Sequence, residues 1–105
     1  MSEMQRGLFL GFVKTHILYH ASKHPVYGLW LIDELARHGY ELSPGTIYPM
    51  LAGLERDGLL ASEVRVVDGR RRKYYLLTAE GERALQAARE KALELVQELI
   101  EGDEG

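Results

Sequence analysis

Three groups of side chains in this sequence are of types that do chemistry. Arg65, Arg70, Arg71, Arg72 and Lys73 place five cations within nine residues. Such a cluster suits phosphates or an acidic protein surface, or it is simply a solvated strand tip. Ser43, Thr46 and Tyr48 bring hydroxyls to what reads as a helix start. There a phenol can stand at phosphate height, and a threonine can offer its hydroxyl to a phosphate or its methyl to thymine. His16, His20 and His24 recur every four residues, a spacing that sets imidazoles on one helical face and could hold a metal. The chain has no cysteine to support such a site, and His24 adjoins Pro25, beyond the expected helix end. These histidines therefore read as partly buried or interfacial, and neither metal nor cofactor is expected. No nucleophile elbow, phosphate-cradling glycine loop or pocketed carboxylate pair is legible, so an enzyme is not expected.

The rest of the composition limits where these groups can work. A chain of 105 residues, 46% apolar and 28% charged, suits one domain, or one domain plus an extra helix. No apolar run reaches membrane-span length, and the N-terminus lacks the features of a signal peptide. A cytoplasmic protein with no membrane partner is the expectation. The net charge of −3 argues at first against nucleic acid. Its distribution reverses that: residues 79–105 carry a net −5, and residues 1–78 a net +2.

The elements that must position the cations and hydroxyls follow from periodicity. Residues 7–22 read as a first helix with Leu10, Val13, Ile17 and Ala21 in one stripe. Phe9, Phe12 and Tyr19 widen that stripe, which calls for burial on two sides and hence for a second copy of the chain. Val26 to His38 form the next helix, with Leu29, Ile32, Leu35 and Ala36 facing inward. After a short turn containing Gly39, a third helix is marked by Ser43 as cap, Pro44 at its first position and Gly58 as its stop. Its stripe is Ile47, Leu51 and Leu54. Its other face, Gly45, Pro49, Ala52 and Gly53, is nearly bare and allows close approach to a partner. Pro49 lacks the amide that would bond Gly45, so some irregularity is expected there.

The period then changes to that of a hairpin, Leu60–Val67 and Arg70–Leu77 around Asp68-Gly69. In that register Arg65 faces Arg72, a like-charge pair that a polyanion at the tip would relieve. Thr78 caps a last helix from Ala79 to about Glu101, and the terminal residues are expected to fray. Leu85, Ala88, Ala92, Leu95 and Leu99 form a seam like that of a coiled coil, with Leu93, Val96 and Ile100 beside it. The expected fold is mainly α with a small β-hairpin wing: a winged helix-turn-helix over residues 1–78 and a dimerisation helix with an acidic tail over 79–105.

Ser43-Pro-Gly-Thr-Ile-Tyr-Pro-Met-Leu-Ala-Gly-Leu-Glu-Arg-Asp-Gly-Leu-Leu60 closely resembles the recognition-helix signature of the PadR family of transcriptional regulators. Arg6-Gly7, Tyr27-Gly28, Arg72-Lys73-Tyr74-Tyr75 and Leu77-Thr78-Ala79-Glu80-Gly81 extend the resemblance over nearly the whole chain. It implies a homodimeric winged-helix repressor of double-stranded DNA, of the short subtype whose single terminal helix packs on the first helix of the partner. The DNA contacts it implies are Ser43, Gly45, Thr46, Tyr48 and Pro49 from the helix and Arg70, Arg71, Arg72 and Lys73 from the wing. With no Asn, Gln or Lys on the groove-facing turns, direct base reading looks thin and DNA shape takes a share of specificity.

Two-fold symmetry implies a palindromic operator. Some members of the family bind flat aromatic molecules at the dimer interface. Here the terminal helix has no aromatic, and Trp30 stands where the family usually has a polar residue. An aromatic effector, or the dimer seam itself, would therefore draw on Phe9, Phe12, Tyr19 and Trp30 with Leu85, Ala88, Ala92, Leu95, Val96 and Leu99. The alternative is an adaptor that turns the bare helix face and the wing toward an acidic protein.

Overall fold

The computed structural model describes residues 2–102. The chain runs α1 (Glu3–Ala21), α2 (Gly28–Arg37), α3 (Pro44–Arg56), β1 (Leu60–Val67), β2 (Arg70–Leu77) and α4 (Ala79–Glu101). It is a mainly helical winged helix-turn-helix with a two-stranded antiparallel wing and a long last helix. The expected fraying of the acidic tail at residues 103–105 lies outside the described residues.

α1 begins four residues before the sequence reading placed it. Ser2 and Gln5 close a reciprocal capping box: the Gln5 amide donates to Ser2 Oγ at 3.1 Å, and the Ser2 amide to Gln5 Oε1 at 2.9 Å. That box supplies partners for two orphan amides and fixes the start. α2, in contrast, begins two residues later than expected. Val26 is not helical, because its amide donates to the Tyr75 carbonyl at 3.0 Å and its carbonyl accepts from the Tyr75 amide at 2.7 Å. This bridge adds a third short rung to the wing and rotates the helix that follows. Leu31 and Leu35 are buried, whereas Leu29 and Ala36, expected to face inward, are exposed.

α3 is helical through Pro49 without a break. Ser43 does not cap it with its side chain, as the sequence reading had it. The Ser43 carbonyl instead accepts from the Thr46 and Ile47 amides at 3.0 Å each, while Pro44 removes one of the amides that needed a partner. At the other end the Gly58 amide donates to Glu55 O and the Leu59 amide to Leu54 O, both at 3.0 Å, with Gly58 at φ +81°. This is a Schellman motif, and it turns the chain straight into β1. Asp68 and Gly69 both adopt positive φ, +52° and +77°, the requirement of a type I′ hairpin turn. The register pairs Leu60 with Leu77, Arg65 with Arg72 and Val67 with Arg70.

One core joins all of these elements. Val13, Ile17 and Leu18 of α1, Leu31 and Leu35 of α2, Ile47, Leu51 and Leu54 of α3, Leu60 and Tyr75 of the wing, and Leu85 of α4 are buried together. The Thr78 hydroxyl donates to the Gly58 carbonyl at 2.6 Å and accepts from the Gly81 amide at 3.0 Å, clamping the start of α4 to the end of α3. Beyond Ala88 the whole of α4 is exposed, and the molecule is long and thin at 59 × 32 × 22 Å.

Candidate nucleic-acid interface

Tyr48 of α3 and the cations of β2 share one cleft. Tyr48, Tyr27, Gly28 and Leu29 form one wall and residues Arg70 to Lys73 the other, around about 320 Å³ of space. Gly28 makes this arrangement possible. A Cβ built on Gly28 would come 2.4 Å from Cε1 and 2.7 Å from the hydroxyl oxygen of Tyr48. The Tyr48 ring therefore lies directly on the first turn of α2, with 43% of the residue still exposed. Thr46 is half-buried, and its hydroxyl sits 3.5 Å from that of Ser43. Gly45, Pro49 and Ala52 are exposed beside them, so the small-residue face of α3 is open.

The wing does not present its cations as one uniform patch, because residues alternate across a strand. Arg72 stacks its guanidinium 4.1 Å from the centre of the Tyr27 ring, and Arg65 lies 4.8 Å from that of Tyr74. Tyr27 and Tyr74 meet edge to face at 5.4 Å. Arg65 also forms an ion pair with Glu63. The like-charge pair expected to need a polyanion is thus already separated by two aromatic rings and a carboxylate. On the opposite face Lys73 Nζ lies 3.7 Å from Glu55 Oε1 of α3, and the Ser62 hydroxyl of β1 donates to Glu55 Oε2 at 2.5 Å. One carboxylate near the end of α3 therefore ties both strands to that helix and sets the angle of the wing. Arg70 and Arg71 are exposed and form no ion pair among the described residues.

The residues expected at an effector or dimer site are dispersed. Phe12 and Tyr19 line a cavity of about 370 Å³ between α1 and α4, together with Leu85, Ala88 and Ala92. Phe9 lies apart, in a separate cavity with Gly39, Tyr40 and Leu42. Trp30 does not join them either. It is half-buried on the α1–α2 side, edge-on to His20 at 5.5 Å and to His24 at 4.8 Å. Leu85 is a core residue, because the clamp at Thr78 draws the first turns of α4 inward. Leu95, Val96 and Leu99 are exposed along the outer half of α4, uncovered by any of the described residues.

His16 and His20 are one helical turn apart, their rings stacked at 6.3 Å, and His38, at the C-cap of α2, approaches both. Burial is the largest influence on both α1 imidazoles and lowers their pKa below the usual value, with Glu34 acting the other way. Sequence spacing alone grouped His24 with the other two, but His24 turns instead toward Pro25 and Trp30. Tyr27 and Gly28 were missed as builders of the interface. The signal for them was the Tyr-Gly pair at the start of α2, whose purpose appears only once Tyr48 is seen lying on it.

Comparison with known proteins agrees with this arrangement. Residues 17–87 match the model of the transcriptional regulator PadR-like family. Transcriptional regulator Rv3488 of Mycobacterium tuberculosis is 51% identical over 102 residues, covering 97% of this chain and 92% of that protein. A PadR-like transcription factor from Bacteroides fragilis superposes with a TM-score of 0.81 at 29% identity, over 95% of this chain and 98% of that one. A PadR family transcriptional regulator from Eggerthella lenta does so at 0.78 and 35% identity, over 95% and 91%. With its winged helix-turn-helix and its match across the family, the chain belongs to the PadR-like family of transcriptional regulators and is not an enzyme.

Proposed function

We propose that this regulator is a homodimeric, sequence-specific DNA-binding repressor that acts in the cytoplasm at a palindromic operator. The observation that carries this reading is the shared cleft in which Tyr48 of α3 and the cations of β2 lie side by side. α3 enters the major groove on its bare face, with Ser43, Gly45, Thr46, Tyr48 and Pro49 against the backbone and bases. Arg70 and Arg71 meet phosphates, while Arg72 and Lys73 are held in place by Tyr27 and Glu55. Residues 1–78 form the DNA-binding unit, and residues 79–105 pair two copies. Half-sites then lie one or two helical turns apart, about 34–36 Å per turn. The cavity between α1 and α4 has the size of a small-molecule site, and a small aromatic effector resting on Phe12 and Tyr19 would reach the dimer seam. Among the described residues no helix is long and apolar enough to cross a membrane.

Binding of the purified protein to random-sequence duplex, followed by fluorescence anisotropy against salt, tests the reading. Affinity should fall steeply as salt rises, because released counterions drive the association. Arg71→Ala should weaken binding alike on all sequences and reduce the logarithmic salt slope by about 1. No binding even at low salt would replace this reading with that of an adaptor for an acidic protein. Selection of bound sequences from a random pool would then give the operator and its symmetry.

A further inference from the structure

Two helices present pairs of metal-ligating residues to each other at the same spacing. On α1 these are His16 and His20; facing them are Glu34 of α2 and His38, the residue that caps the C-terminal end of α2. Residues four apart share a helical face, so each pair points the same way. Among the described residues His20 Nε2 is buried and has no hydrogen-bond partner, with only 11% of its side chain exposed. A buried imidazole nitrogen left unpartnered is uncommon and asks what fills its place. Glu34 Oε2 lies 3.9 Å from that nitrogen and 3.2 Å from His38 Nε2. The ligand atoms of His20, Glu34 and His38 all lie within 4.8 Å of one another.

We propose that His20, Glu34 and His38 form a binding site for a divalent transition-metal ion of the zinc class. Ligand atoms about 2.0–2.1 Å from a tetrahedral ion stand about 3.4 Å apart, and the two Glu34 distances bracket that value. The remaining gap closes by rotation of the His38 ring, which is half-exposed and free to turn. Two imidazoles and a carboxylate favour zinc, cobalt or nickel over magnesium or calcium, which take oxygen ligands. Arg37 holds the other oxygen of Glu34 at 3.5 Å, leaving Oε2 directed at the two histidines. Three protein ligands leave a fourth position open, to be taken by water or by His16, whose ring is 5.2 Å from that of His38. Bound there, the ion would fasten α1 to α2.

The test uses the full chain without added histidines, stripped with chelator and titrated with Co²⁺ and then Zn²⁺. One Co²⁺ per chain should bind with the visible absorption of a low-coordinate nitrogen–oxygen site, and Zn²⁺ should displace it. Zn²⁺ should also raise the melting temperature, since the three ligands are brought together only in the folded chain. Glu34→Gln, which keeps the shape of the side chain, and His38→Ala, at a half-exposed position, should each weaken binding at least about tenfold and abolish the thermal shift. Far-UV circular dichroism checks that these variants remain folded. His24→Ala should leave affinity unchanged. Absence of saturable binding would overturn the proposal. So would binding that survives both ligand substitutions, or that is lost in His24→Ala.

Discussion

At the scale of single residues, Gly28 controls what α3 can present. Its missing side chain is the seat of the Tyr48 ring, and a methyl group there would come within 2.4 Å of that ring. The ring is the outer part of a rotatable side chain and can move, so the fold should survive Gly28→Ala. The phenol, however, would leave its place beside the wing. We therefore expect Gly28→Ala to weaken duplex binding about as much as Tyr48→Ala does, on the order of tenfold for a lost charge-assisted phosphate contact. Its melting temperature should stay within a few degrees of wild type, as alanine at the start of a helix carries little intrinsic penalty. Anisotropy and thermal melting measured on both variants decide the matter. If Gly28→Ala binds normally while Tyr48→Ala does not, the position of Tyr48 is not set by Gly28. The same scale explains why Arg72 and Arg71 are not equivalent. One is stacked on Tyr27 and fixed in direction, and the other is exposed.

At the scale of elements, the joint between wing and α4 is the tightest place in the fold. A Cβ on Gly81 would lie 2.2 Å from the Leu59 carbonyl oxygen and 2.5 Å from Leu77 Cδ1. The first of these is backbone, held at both ends by the Schellman turn and the β1–β2 pairing, and cannot yield cheaply. Gly81→Ala should cost about 1–3 kcal/mol, the range for an overpacked core, with the loss read by urea unfolding at fixed protein concentration. A value near zero would mean that α4 can shift along the hairpin. These joints also mark what the sequence could tell. The hairpin, its turn and α4 were legible to the residue, because Asp-Gly and a three-and-four apolar step are signals carried locally. The capping box Ser2-x-x-Gln5 was equally local and was overlooked. The start and phase of α2 were not legible, since they depend on the Val26–Tyr75 bridge between residues far apart in the chain. For the same reason the five cations read as one patch, although Tyr27 and Glu55, distant in sequence, together with the neighbouring Tyr74 divide them between two faces.

For the whole molecule, the unresolved demand is burial. The outer half of α4 exposes Leu93, Leu95, Val96, Leu99 and Ile100, and α1 exposes Leu8, Phe9, Phe12 and Tyr19. A helix tip that is apolar on two sides favours burial, and among the described residues nothing covers it. By helical spacing Glu90, Glu94, Glu98 and Glu101 lie together on the remaining face of α4. If two copies exchange these faces, the recognition helices are carried at a fixed separation, and affinity for a palindrome gains from the joining of two weak half-site contacts. Replacing Leu95 and Leu99 together by Glu should separate the copies without harming the fold, because neither side chain belongs to the core. Sedimentation equilibrium should show dimer for the wild type and monomer for the double variant. The variant should lose at least about a hundredfold in affinity for a two-half-site operator, by the loss of effective concentration, and much less for a single half-site. A wild type that sediments as a monomer, or a double variant that remains a dimer, would move the pairing surface off α4.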